Sequence, residues 1–176
     1  MEAARTGLFG KLPAHGDFVR RALPRSFIGP WDAWLSAGME AARARLGEAG
    51  LAQAWAQAPV WRFRLAPGAC GPDAAVGVVA TSADMVGRRF PLTLAAVLPA
   101  AAIPPPEAWF LALEEAAEAG RAGGMDADAL AGALPEPPPD DPEATLDGLS
   151  LFWTAGGARQ PMGGPGGFAR LIGEGA

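Results

Sequence analysis

Between positions 30 and 46 apolar residues recur at helical spacing. Trp31, Trp34, Leu35, Met39, Ala42 and Leu46 form one stripe, which predicts an amphipathic helix with that face in the core. Gly29 and Pro30 open it, because the N–H that proline lacks is not needed in a first turn, and it stops before Gly47. A short second helix, LAQAWAQA, ends before Pro59 with Trp55 as its buried anchor. The period then changes. WRFRL alternates bulky apolar residues with arginine, so it reads as a strand with Trp61, Phe63 and Leu65 inward and Arg62 and Arg64 outward. After the turn PGACGPD, the nearly continuous apolar run AVGVVAT suits a strand covered on both faces. SADMVGRR is a polar connector to a further strand in FPLTLAAVL. Three strands joined by loops of this length predict an antiparallel meander with helices packed on its faces, a fold of the α/β class.

The flanks carry weaker patterns. GLFGKL reads as a short strand and PAHGD as a turn, with Asp17 placed to N-cap a helix over FVRRAL. EAWFLALEEAAEA predicts an amphipathic helix with Trp109, Phe110, Leu113 and Ala117 inward, and DADALAGAL predicts another. The proline-dense PEPPPDDPE, about residues 135–143, cannot join a helix or central strand and reads as an exposed loop. LSLFWT supplies one more short strand, followed by a glycine-rich loop and the closing turn GFARLI. With 176 residues, half of them apolar, the expectation is one core and one domain spanning residues 1–176.

Composition narrows the function classes. Cys70 is the only cysteine, which rules out an internal disulfide and fits a reducing compartment. The first residues, MEAARTGLFGK, hold an early acid and no apolar run of signal-peptide length, so export is not expected. LTLAAVLPAAAI is short for a membrane span and contains Pro99, so no membrane insertion is expected. Net charge is −5 but unevenly divided: residues 1–100 carry eleven Lys or Arg against seven acids, and residues 101–176 carry three against twelve. A basic face on the first half could meet an acidic partner. The total, and the lack of a dense basic stripe, argue against nucleic acid.

Candidate chemistry is sparse. His15 is the only histidine, so a multi-histidine metal site cannot form within one chain, and Asp17 is its nearest candidate co-ligand. GKLPAH shares only Gly10-Lys11 with a phosphate loop, because Leu12 stands where a hydroxyl is required. No dinucleotide fingerprint occurs, and neither a cofactor nor a metal is expected. Ser26, Ser36, Ser82 and Ser150 are available hydroxyls, none in a nucleophile-elbow setting. Ser82 and Asp84 in TSADMVGRR are the most interesting pair. They read either as a turn stabilised by Asp84 pairing with Arg88 or Arg89, or as a protein-contact loop, since arginine is favoured at interface hot spots. A small hydrolase or transferase using Asp17, Ser82 or Asp84, or a structural subunit of a larger assembly, is the alternative.

Four segments taken together resemble the TagF family of bacterial type VI secretion accessory proteins: GLFGKLPAHGDFVRRALP, FIGPWDAWL, APVWRFRLAPGACG and VGVVATSADMVGRRFPLTLAAVLP. SLFWT looks like the family's closing strand. The match is close over residues 7–99 and loose over residues 100–149. Met85 stands where the family's pattern usually has Arg, and Ala80 and Ala83 also depart from it. The resemblance implies a three-layer α/β sandwich, with helices on both faces of a largely antiparallel or mixed sheet. It also implies a cytoplasmic, non-enzymatic regulator that holds type VI secretion off after translation, with a forkhead-associated-domain scaffold protein of the system as partner. On this reading the turn of Lys11, His15 and Asp17 lies near the connector of Asp84, Arg88 and Arg89, and together they form the partner-binding surface.

Overall fold

The structure, a computed structural model, describes residues 5–98, 105–138 and 150–173. Strand β1 (Thr6–Gly10) and the short strand β2 (Val19–Arg21) precede a long helix, α1 (Arg25–Gln57). Strands β3 (Trp61–Leu65), β4 (Ala74–Ala80) and β5 (Leu92–Leu98) follow. Next come helices α2 (Glu107–Arg121) and α3 (Ala127–Ala133). Strands β6 (Leu151–Trp153) and β7 (Arg159–Pro161) and helix α4 (Phe168–Gly173) complete the described chain. The fold is mixed α/β. Among the described residues seven strands form one open sheet in the order β2-β1-β5-β4-β3-β6-β7, and neighbours are antiparallel throughout. The expected meander of β3, β4 and β5 is its centre. Among the described residues no helix is long and apolar enough to cross a membrane.

Period-two alternation sorts the buried side chains into two clusters. Phe9, Phe63, Leu65, Val79 and Ala95 pack with Trp31, Trp34 and Leu35 of α1 and with Phe168 and Leu171 of α4. Leu8, Val76, Val78, Leu92 and Leu94 pack with Trp109, Phe110 and Leu113 of α2 and Leu130 of α3. Each fully buried Leu or Phe contributes about 1.5–3 kcal/mol through apolar surface removed from water. Tryptophans fix the helices to the sheet at single points. The Trp31 indole donates to Thr93 Oγ1 of β5 at 2.8 Å, and the Trp61 indole of β3 donates to the Leu171 carbonyl of α4 at 2.8 Å.

Several local expectations change. α1 starts at Arg25, before Gly29, because Phe27 extends the apolar stripe by a turn and stacks on Trp31 at 5.6 Å. Pro30 therefore lies inside the helix and leaves the Ser26 carbonyl without its usual amide donor. At the expected stop, Gly47 takes a left-handed φ of 69°, and helix resumes beyond this kink through Trp55. FVRRAL is not a helix, so Asp17 caps none: Val19 is buried opposite Gly10 on the edge of β1, and Ala22 at φ 61° ends the strand. Arg62 does not point to water. Its sheet face is covered by α2, where the guanidinium donates to Glu114 at 2.6 Å and Glu107 at 2.8 Å. The glycine-rich loop contains β7, and GFARLI is helix α4. Of the proline-dense loop, residues 135–138 are irregular, and 139–143 lie outside the described residues.

α4 lies close on α1 because Gly38 has no side chain: a Cβ there would collide with the Phe168 side chain and crowd the Ala169 amide. Gly38→Ala should therefore lower stability by about 1–3 kcal/mol. A shift of the urea midpoint with an unchanged slope is the expected reading.

Candidate functional site

Two loops meet at one end of the sheet. The first, Lys11 to Phe18, joins β1 to β2 and turns tightly where the His15 amide donates to the Leu12 carbonyl at 3.0 Å. The second, Thr81 to Pro91, joins β4 to β5. Ala83 and Arg89 form an antiparallel bridge across its base. Asp84 to Gly87 make its turn: the Gly87 amide donates to the Asp84 carbonyl at 3.0 Å, and Gly87 supplies the required positive φ of 86°. Met85 and Val86 occupy the tip.

Asp84 binds the two loops together. Its side chain is fully buried, with Oδ1 accepting the amides of Val86 at 3.1 Å and Arg88 at 3.0 Å. Oδ2 takes the Arg88 guanidinium at 2.8 Å and the Lys11 ammonium at 3.1 Å. Burial opposes the ionised carboxyl, but the Arg88 amide, the Lys11 ammonium, the Arg88 guanidinium and the Val86 amide together outweigh it. They hold Asp84 well below the usual carboxylate range. Further bonds run directly between the loops. Ser82 Oγ donates to the Lys11 carbonyl at 2.8 Å, the Met85 amide to the His15 carbonyl at 2.8 Å, and Arg88 Nη2 to the Gly16 carbonyl at 2.7 Å.

The candidate residues have unequal roles here. Lys11 and Asp84 are buried and hold the loops, so neither presents a side chain to a partner. His15 is half-buried, and its Nε2 accepts the Ala127 amide at 2.9 Å, which docks the start of α3. Asp17 is exposed and accepts the amide of Phe18 at 2.7 Å. Arg88 is exposed beside the tip, whereas Arg89 turns away toward Glu48 of α1 at 3.7 Å. Between the two turn partners the sequence left open, Asp84 therefore takes Arg88.

A family model for the TagF N-terminal domain, described as type VI secretion system-associated, matches residues 7–136. The chain belongs to the TagF family. The crystal structure of PA0076 from Pseudomonas aeruginosa PAO1 is similar at 35% identity with a TM-score of 0.82, covering 95% of this chain and 93% of that one. No curated protein matches the chain.

What the sequence reading of this TagF chain missed is apolar. Phe18 is 48% exposed, Met85 63% and Val86 71%; Leu111 is the other exposed large hydrophobic among the described residues. The signal was two consecutive apolar residues at the turn of a polar connector. Phe18 is exposed but not loose, because its ring packs edge-on to Phe90 with centroids 4.8 Å apart and stacks on Phe9 at 6.1 Å. The Lys11 ammonium lies 5.0 Å from the centre of the same ring.

The groups weighed for chemistry are otherwise engaged. Burial pushes the Cys70 thiol up to about 11, far from a reactive thiolate at neutral pH. Ser82 is buried on the Lys11 carbonyl. An open cleft of about 480 Å³ lies behind the connector, lined by Trp55, Ser82, Arg89, Glu118 and Arg121. Its carboxylate, Glu118, is bound by both Nε and Nη2 of Arg121, and Asp84 does not line it.

Asp84→Asn should loosen both loops at neutral pH, leaving Lys11 and Arg88 without their counter-charge. Faster amide exchange at Met85 and Val86 and a lower melting temperature are expected. Because folding depresses this carboxyl below its ordinary 3.8, its stabilisation is complete above that value and is lost as pH falls further. The gap in melting temperature between wild type and Asp84→Asn should accordingly narrow in acid.

Proposed function

We propose that this TagF protein is a cytoplasmic, non-enzymatic regulator that restrains type VI secretion after translation. It does so by binding a forkhead-associated-domain scaffold protein of the system and blocking assembly of the apparatus. The contact is made by Met85 and Val86 at the connector tip, with Phe18 beside them, while Arg88 sets orientation. Lys11, His15, Asp17 and Asp84 hold or flank this surface, and Arg89 stands at its edge. The same reading takes the domain as three layers, supported by the two clusters of buried residues on alternate strand positions.

The supporting observation is that three of the four exposed large hydrophobics among the described residues sit on these two loops, on backbone held by a buried carboxylate. Exposed apolar residues gathered at one place mark interaction sites more often than scattered ones do. Rigidity adds to this, since a loop already in its bound shape loses little conformational freedom on docking. A hydrolase or transferase would need a perturbed carboxylate facing a cleft. Of the two carboxylates shifted among the described residues, Asp84 is buried under its donors and Asp128 is held on the surface by Arg21.

Val86→Asp places a charge at the centre of the proposed contact and touches nothing in the core. It should weaken binding to the purified scaffold protein at least about tenfold while leaving the melting temperature unchanged. Calorimetric titration showing wild-type affinity would remove the tip from the mechanism.

A further inference from the structure

The side chains that root the tip carry a sign opposite to that of the whole chain, which is −5. At its root two cations, Lys11 and Arg88, share the single carboxylate of Asp84, leaving one positive charge in excess. Lys11 and Asp84 are buried, so that excess reaches solvent through Arg88, whose side chain is 63% exposed. Arg88 gives Nε to Asp84 and Nη2 to the Gly16 carbonyl; Nη1 makes no hydrogen bond among the described residues and remains free to donate.

Arg20 adds a second cation. It stands directly opposite Phe9 in the β1–β2 register, and opposite residues share a sheet face. Phe9 stacks on Phe18 at 6.1 Å, so Arg20 belongs to the same side as the Phe18 ring. It is exposed, and no carboxylate among the described residues pairs with it. The neighbouring Arg21 is different, since Asp128 neutralises it at 2.8 Å. Asp17 is the exposed carboxylate of the first loop. Setting its charge against Arg20 still leaves the excess carried by Arg88.

We infer that this surface takes an acidic protein segment, with an apolar side chain seated against Phe18, Met85 and Val86 and flanking carboxylates paired to Arg20 and Arg88. The inference rests on the proposal that the tip is the docking surface, and names the chemistry of what docks there. A guanidinium suits a carboxylate because its planar fork can donate two parallel hydrogen bonds. Two arginines at the edge of an apolar centre steer the encounter and reject basic or neutral partners more than they add raw affinity. They are too few to hold a phosphate backbone or a lipid surface, which needs a denser basic array.

The test uses the full chain with a photo-cross-linking benzophenone residue at Met85, in cells running a type VI secretion system. Cross-linked peptides are then identified by mass spectrometry. The expected product joins position 85 to a segment with an apolar residue between Asp or Glu residues. Such a segment in the scaffold protein supports both this inference and the proposed function. The same chemistry in another protein keeps the inference and overturns the scaffold as partner. A neutral or basic segment, a lipid adduct, or no adduct at all overturns the inference. With the partner so identified, Arg20→Glu should slow association of the purified proteins about tenfold at low salt and much less at high salt. Association unchanged at both salt concentrations would overturn the role of Arg20.

Discussion

A carboxylate taken out of water needs donors around both oxygens, and Asp84 finds them in two loops that are distant in sequence. Lys11 approaches from the β1–β2 loop, and the Val86 and Arg88 amides with the Arg88 guanidinium come from the connector. Opposite charge and two aligned amides make the ionised form the stable one despite burial. The positions of Met85 and Val86 follow from this: Phe90 anchors the end of their loop in the core, but both tip residues are exposed, and a hydrogen-bonded charge holds the turn that carries them.

The scaffold behind that loop is equally defined. The Trp55 indole donates to the Ser82 carbonyl at 3.0 Å, and Thr81 Oγ1 donates to the Trp55 carbonyl at 3.0 Å. The second segment of α1 thus grips the start of the connector. Arg121, at the end of α2, donates to Thr81 from another side, with Nη1 at 3.2 Å from the hydroxyl. A surface held from three elements moves little on its own, which is the condition under which exposed apolar residues can recognise a partner at low entropic cost.

The central meander was legible because its strands are long, apolar and bounded by glycine and proline, so periodicity and turn chemistry agree. The α1 stripe was legible for the same reason. Asp84 could be read as a turn organiser from its neighbours Arg88 and Arg89, although sequence alone did not choose between them. Arg62 was misread because alternation tells which residues share a face, but not whether a helix covers that face. β2, β7 and α4 are three to six residues long, and segments that short are ordered by what they touch. The shared exposure of Phe18, Met85 and Val86 was not legible because exposure of an apolar residue is a tertiary property.

The contact between α4 and Gly38 has a bearing on how the chain acquires its structure. Trp34 and Gly38 of α1 meet Phe168, which is made some 130 residues later, so the part of the helix that α4 covers has no lid even after β3, β4 and β5 have been made. On the ribosome that part would stay open to water, and to chaperones, until α4 emerges.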